Sequence, residues 1–305
     1  MRRYLFRRLA LALVTVLGVS LIVFLATRLS GDVVQLLVAE DASLQEIEKV
    51  RQSMGLSDPL WIQYLSFLQR AVVGDMGDSI RYRAPVMPLI FQRIPATAEL
   101  ALAAFAMGSV LGILAGILSA SMRGSWLDRG LRGLAVLGQS MPHFWIGIMA
   151  ILLFSVTLNW LPSGGRETWA HLLMPAATLA VFPAAGIMLM TRSALLENLT
   201  AEYVRFLRIK GASERQIIWK HAFRNSLIPV LAFAGIQIGN LLGGAVIVEA
   251  IFNWPGLGSL IVEAILGHDY PVVQGSVFLI SILLISLNLA VDLLFGVVDP
   301  RVKFA

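Results

Sequence analysis

A series of apolar runs, each long enough to cross a bilayer, constrains this chain more than any other feature. The runs fall at Leu9–Thr27, Leu100–Met122, inside Gly133–Leu158, and at Leu172–Thr191, Asn225–Val248 and Tyr270–Val291. At 1.5 Å per residue the first makes about 28 Å of helix, close to the thickness of a hydrocarbon core. A backbone that meets no water must satisfy its own polar groups, so each run is expected to be helical. Hydrophobic residues make up 57% of the 305 and charged residues 14%, which excludes a soluble domain of this length. The first run outlasts a signal-peptide core and no A-x-A site follows it, so it is read as a retained span. Pro142, Pro175, Pro183 and Pro271 are expected to kink or begin helices.

Charge then orients the runs. With the N-terminus inside, Arg2, Arg3, Arg7 and Arg8 precede the first span, and Arg123, Arg129 and Arg132 fall in the next inner segment. Most of the remaining basic residues lie between the fourth and fifth spans or in the tail, whereas the two short outer loops carry only Arg166. By the positive-inside rule both termini are expected in the cytoplasm. The net charge of +5 is therefore a topology signal and does not point to nucleic acid. The chain has no cysteine, which excludes disulfides, thiol nucleophiles and zinc–thiolate sites.

Between Leu29 and Glu99 the sequence is polar. Ser43 with Glu46 has capping-box spacing for a helix ending near Gly55, and Asp58-Pro59 opens another through about Val73. Neither is long enough to span, so the region reads as an extracytoplasmic cap. The division expected is 1–95, the first span with its cap, and 96–305, a five-helix core with a charged loop at 193–226.

That loop holds the most specific pattern, E-Y-V-R-(x)4-K-G-A-S-(x)7-H-A-x-R-N-S-L-x-P, from Glu202 to Pro229. Thr200 is placed to cap a first short helix, Gly211 to end it, and Ser213 with Gln216 to begin a second. Tyr203, Phe206 and Leu207 share one face at i, i+3 and i+4, with Arg205 and Arg208 off it. Such an exposed apolar face needs a partner groove.

The pattern resembles the coupling loop of ABC-importer permeases. It is most similar to the B-type subunit of the dipeptide, oligopeptide, nickel and glutathione branch, and the likeness extends from the first ten residues to Asp299-Pro300-Arg301. The resemblance implies an all-α polytopic membrane protein with six transmembrane helices in the type I importer permease fold. It also implies docking of an ATPase subunit on Glu202, Tyr203, Arg205, Phe206, Leu207, Arg208, Lys210, Gly211, Ala212, Ser213, His221, Arg224 and Asn225. Where the family usually reads A-R-A-K-G, this chain has Leu207-Arg208-Ile209-Lys210-Gly211; where it reads P-G-D-P, this chain has Ser30-Gly31-Asp32-Val33. A second likeness lies at Trp254, Pro255, Gly256 and Gly258, followed by His268 and Asp269, in what is read as the last outer loop. Ser140-Met141-Pro142-His143-Phe144-Trp145 is similar to a family signature as well, and reads as a kink beside a cavity or as an ordinary membrane-helix kink.

Polar residues near spans are few. Asn288 and Asp292, one turn apart, read as interhelical hydrogen bonding or as pathway lining; Glu99 and Glu249, at outer span ends, could meet a cationic solute group. His268 and Asp269 are too few for a metal site, so none is expected.

As partners the resemblance implies a second homologous permease, two ABC ATPases, an extracytoplasmic solute-binding protein and membrane lipid. The site is then the inner membrane of a bacterium. No G-x-x-x-x-G-K-[ST] loop occurs, so the chain is expected to be no enzyme and to hold no cofactor, with ATP and Mg bound by the partner ATPases. Peptides are the expected substrate, with nickel chelates, glutathione or sugars as alternatives. An ion-coupled secondary transporter is a distant one, because no inverted repeat is visible.

Overall fold

The computed structural model describes residues 2–29, 43–53 and 56–298; the departures noted at Ser30–Val33 and the terminal Asp299-Pro300-Arg301 lie outside them. The chain divides into two compact units, Met1–Pro95 with Gly256–Ser286, and Ala96–Pro255 with Leu287–Ala305.

The first unit contains α1 (Arg2–Leu29), α2 (Leu44–Ser53), α3 (Leu60–Val72), the start of α4 (Val86–Ser121), α11 (Leu257–Leu266) and most of α12 (Tyr270–Val298). The cap expected at Ser43 forms: Ser43 N–H and its hydroxyl both donate to Glu46 Oε2 at 2.8 Å and α2 follows, while α3 begins after Pro59 with no side-chain cap. Phe24 of α1 sits within ring-contact distance of Tyr64 and Phe67 of α3, and the Tyr64 hydroxyl bonds Ser20. Beneath them Val86, Ile90, Leu257, Leu260, Val272 and Val273 make a buried apolar core. Pro271 stands in the first turn of α12, as expected, where its missing N–H costs no bond.

The second unit is built around α7 (Trp169–Thr200), the most enclosed of the spans. The rest of α4 packs on it through Gly108, Gly112 and Gly116, four residues apart. A Cβ at Gly112 would stand 2.6 Å from Ala184 O, and one at Gly116 2.6 Å from the Thr191 Cβ. Without hydrophobic drive between helices in lipid, close approach at small residues supplies the packing. Pro175 and Pro183 lie inside α7, which runs through both as one helix.

The third expected span is interrupted at Pro142, where a kink or a helix start was expected. It is two pieces, α5 (Trp126–Ser140) and α6 (His143–Ala150), bent by 107°. Met141 is extended at φ −84°, ψ 131°, the conformation that the residue before a proline favours, and Pro142 takes the N-cap of α6. α6 continues as a π-helical turn, Ile151–Thr157. Among the described residues, five helices are thus long and apolar enough to cross a membrane, or six if the bent pair counts as one span.

The charged loop supplies α8 (Glu202–Ile209) and α9 (Glu214–Gln216). The second helix of the loop does not end before the next span. α9 passes through a π-helical stretch, Ile217–Ala222, directly into α10 (Phe223–Ile251), so Glu214–Ile251 is one 38-residue rod.

Candidate functional site

The turn between α8 and α9 is set by backbone geometry. Gly211 has φ +82°, open to glycine at no steric cost, and no neighbouring atom lies within 4 Å of where a Cβ would be. Its N–H bonds Arg208 O at 3.0 Å and that of Ala212 bonds Leu207 O at 3.1 Å, so the last carbonyls of α8 are satisfied. Ser213 and Gln216 then exchange reciprocal capping bonds at 3.4 Å. Arg208 closes the turn with Glu214 at 2.7 Å, but both groups are well exposed and the pair contributes little stability.

Two expectations about α8 are corrected. Thr200 does not cap it; Thr200 is the last residue of α7, its hydroxyl turned back to Glu197 O, and Ala201 holds the N-cap without a side-chain bond. Nor do Tyr203, Phe206 and Leu207 point the same way. Val204 is fully buried against the π-helical stretch and α7, which fixes the rotation of so short a helix. Tyr203 is thereby turned inward, its hydroxyl donating to Asn198 Oδ1 at 3.1 Å, while Asn198 Nδ2 donates to Ser226 Oγ at 3.1 Å. Leu207 is half-buried. The face left open carries Phe206 and Ile209, 56% and 79% exposed, with Lys210 Nζ 4.6 Å from the Phe206 ring centre. Glu202, Arg205, Arg224 and Asn225 are exposed around it, while Ala212 and His221 are half-buried.

At the opposite end of this unit Glu249 is fully buried and accepts the Thr97 hydroxyl at 2.7 Å, so it offers no face to a solute in this conformation. Glu99 takes the Arg166 guanidinium, Nε to Oε2 2.8 Å, and that guanidinium also lies 5.7 Å from the Trp254 ring centre. Trp254 is buried, its indole N–H bonded to Ala96 O at 2.8 Å, with Pro255 half-buried beside it. Asn288 of α12 lies against Gly239 of α10, where a Cβ would be 2.8 Å from its Oδ1. The side chain of Asp292 lies outside the described residues.

In the first unit Gly256 caps α11 and Gly258 is buried in its first turn. Asp269 is fully buried and accepts from the Ser79 hydroxyl and from the N–H groups of Ile80 and Arg81, both at 3.2 Å. A carboxylate so engaged organises the 79–82 turn. Among the described residues no group of three His, Asp or Glu could hold a metal ion. A hollow of about 970 Å3 opens beside the cap helices, bordered by Arg28, Asp58, Arg70, Asp75 and Arg83. Its walls carry charges of both signs.

Two groupings were missed from sequence. Asp128, 1% exposed, takes a forked pair from Arg192 at 2.7 and 2.9 Å, the Ser119 hydroxyl at 2.6 Å and the Gly124 N–H at 3.0 Å. This clasp fastens the α4–α5 turn to α7, the helix that leads into α8. An arginine inside an apolar helix was the available signal. The second grouping is a cavity of about 280 Å3 at the α5–α6 bend, lined by His143, Phe182, Pro183, Gln237, Asn240, Leu241 and Gly244. Of these only His143 stood in a pattern quoted from the sequence.

Comparison with known proteins places these features. Residues 1–101 match the N-terminal part of the membrane components of binding-protein-dependent transport systems, and residues 112–304 match the binding-protein-dependent transport system inner membrane component. The dipeptide transport system permease protein DppB of Alkalihalophilus pseudofirmus is 37% identical over 333 aligned residues, covering 100% of each chain. The glutathione transport system permease protein GsiC of Escherichia coli is 39% identical over 305 residues, again 100% of each. A chain of the inward-facing MetNI methionine ABC transporter superposes with a TM-score of 0.60 at 23% identity, covering 70% of this chain and 97% of that one; the likeness there is one of fold.

Proposed function

The chain belongs to the family of binding-protein-dependent transport system inner membrane components, and from that premise we propose that it is the B-type subunit of an ATP-driven peptide importer. A member of this family is a multi-pass, pore-forming subunit that works with a separate ATPase and a substrate-binding partner, and is itself no enzyme. The peptide reading is supported by relatives named for dipeptide and glutathione transport. Glutathione is itself a modified tripeptide, so both names fall in one chemical class.

In this reading a second, homologous permease completes the pore and two ATPases bind inside, supplying all ATP and Mg. A solute-binding protein delivers peptide to the cap, and the complex sits in a bacterial inner membrane with both termini of this chain in the cytoplasm. The basic residues at the N-terminal end of α1, in and after the α4–α5 turn and around α8 support that orientation.

The observation that carries the reading is the mechanical continuity of α8. Its Phe206–Ile209 face is open, its inner face is fixed to α7 and α10 through Val204 and the Tyr203–Asn198–Ser226 bonds, and Gly211 hands it on to the rod Glu214–Ile251. A displacement of the ATPase groove holding α8 would therefore move a helix that crosses the membrane, and alternating access by rigid-body motion follows.

The test uses the assembled importer in lipid, with retention of the ATPase subunits, peptide-stimulated hydrolysis and uptake measured together. Phe206→Ala and Ile209→Ala are expected to leave the chain inserted while lowering ATPase retention or uncoupling hydrolysis from uptake. Wild-type values of all three quantities in the double variant would remove α8 from the transmission path.

A further inference from the structure

Three places in the second unit invite a binding role, and two are already engaged. Glu249 is buried on Thr97, and Asp128 is consumed by Arg192 and Ser119. The third is the cavity at the α5–α6 bend.

Its setting is unusual for a lipid-embedded segment. A helix broken by 107° leaves backbone groups at both new ends without i→i+4 partners, and such a break is tolerated at membrane depth only where it is buried in protein or lines a water-filled space. Several of the side chains beside it are polar. Gln139 and Ser140 at the end of α5 are exposed, as is Asn240 of α10. An exposed amide within a spanning helix faces protein or water rather than hydrocarbon.

Asn240 Nδ2 donates to Gln237 Oε1 at 3.1 Å, and Gln237 is only 4% exposed, so one amide is held in place by the other. His143 stands across from them. Gly244 leaves room for its ring: a Cβ there would lie 3.3 Å from His143 Nε2 and 3.0 Å from Leu179 Cδ1. No charged residue lines the cavity.

From this geometry we infer that His143, Gln237 and Asn240 are the solute-contact wall of the passage in this subunit, a hydrogen-bonding site for the backbone amide and carbonyl groups of a peptide. The inference rests on the peptide-importer reading. Amides and an imidazole both donate and accept, matching the alternating donors and acceptors of a peptide backbone whatever its side chains. A fixed charge would instead hold one end of a zwitterion and slow its exit. The cavity, about 280 Å3, is just under the roughly 300 Å3 at which small-ligand pockets begin, so this wall takes a short length of backbone rather than a whole solute. Phe182 and Leu241 on the same wall supply apolar surface without further polar demand.

The test has two arms in the complete importer. The cysteine-free chain allows Asn240→Cys to be probed with a charged, water-soluble methanethiosulfonate reagent. Leu231→Cys, exposed on the opposite face of α10, is the control. Labelling of Asn240→Cys at least about tenfold faster than the control is expected; equal or slower labelling would overturn the assignment.

In proteoliposomes, with the binding protein saturated by peptide, Asn240→Leu and Gln237→Met keep side-chain volume and remove the hydrogen bonds. Uptake is expected to fall about tenfold, with assembly and basal ATP hydrolysis unchanged, and Asn240→Ser is expected to recover part of it. Wild type should also discriminate against a peptide carrying an N-methylated backbone amide, and Asn240→Leu should not. Wild-type uptake and discrimination in both volume-keeping variants would refute the wall. Failure of the wild-type complex to take up any peptide would refute the importer reading itself, and with it the ligand class assigned to this cavity.

Discussion

Removing Arg192 should show how much the second unit depends on the clasp at Asp128. The carboxylate is 1% exposed and accepts two bonds from Arg192, one from Ser119 and one from the Gly124 N–H, with Arg132 3.4 Å away on its own helix and 45% exposed. Arg192→Leu leaves that carboxylate buried with its main cation gone. Stripping one partner from a buried pair costs about 3–5 kcal/mol, and Arg132 can swing in to offset part of it, so a loss of about 3 kcal/mol is expected. Asp128→Asn should cost less, about 1–2 kcal/mol, because the amide oxygen still accepts from Ser119 and Gly124 and Arg192 retains some solvent contact. The double variant Asp128→Leu/Arg192→Leu removes both charges and should lie within about 1 kcal/mol of wild type. Denaturant unfolding of the purified chain in mixed micelles, followed by tryptophan fluorescence, gives the three values. A double variant as unstable as Arg192→Leu, or an Arg192→Leu loss under about 1 kcal/mol, would mean the pair is not a buried clasp.

Gly112→Leu should separate α4 from α7, because even a Cβ would stand 2.6 Å from Ala184 O; loss of folded chain in the same unfolding assay is expected, with Gly130→Leu, which meets nothing within 4 Å, as the harmless control. Gly211→Val adds strain of about 1–3 kcal/mol at φ +82° with no clash, so assembled chain should persist while retention of the ATPase subunits falls in pull-down. Single cysteines at Ser43 and Ser163 should react with an impermeant thiol reagent in intact cells, and one at Ser213 should not; labelling at 213 would invert the topology. The Ser43 backbone N–H, and then its hydroxyl, hold the Glu46 carboxyl below the ordinary glutamate range. A depressed value stabilises the folded state above the unfolded pKa and is lost as pH falls through the folded one. The N-terminus of α2 should therefore loosen only below the usual carboxylate range, which a carboxyl carbon titration of Glu46 would show.

Local signals were legible in the sequence because their physics is local. Ser43 with Glu46 and Ser213 with Gln216 announce helix starts, since a side chain satisfies a backbone donor three residues on. Gly211 announces a left-handed turn. The facing of α8 was not legible. Three apolar residues at helical spacing suggested one docking face, but burial of Val204 turned Tyr203 inward and left Phe206 and Ile209 outside. Glu249 looked like an interfacial carboxylate, yet it is fully buried and accepts a bond from Thr97, 152 residues away.

Length and apolar composition by themselves determined that this is a membrane-spanning, all-helical chain, because hydrocarbon permits no open backbone and the runs are of bilayer length. Pro142 likewise determined that the third run would be interrupted. The size of that bend, the clasp of Asp128 on Arg192 across 64 residues, and the meeting of His143 with Gln237 and Asn240 were decided only by tertiary packing. Each depends on which helices lie against one another. The chain encodes that choice in the fit of surfaces such as Gly108, Gly112 and Gly116 against α7, which no single segment can display.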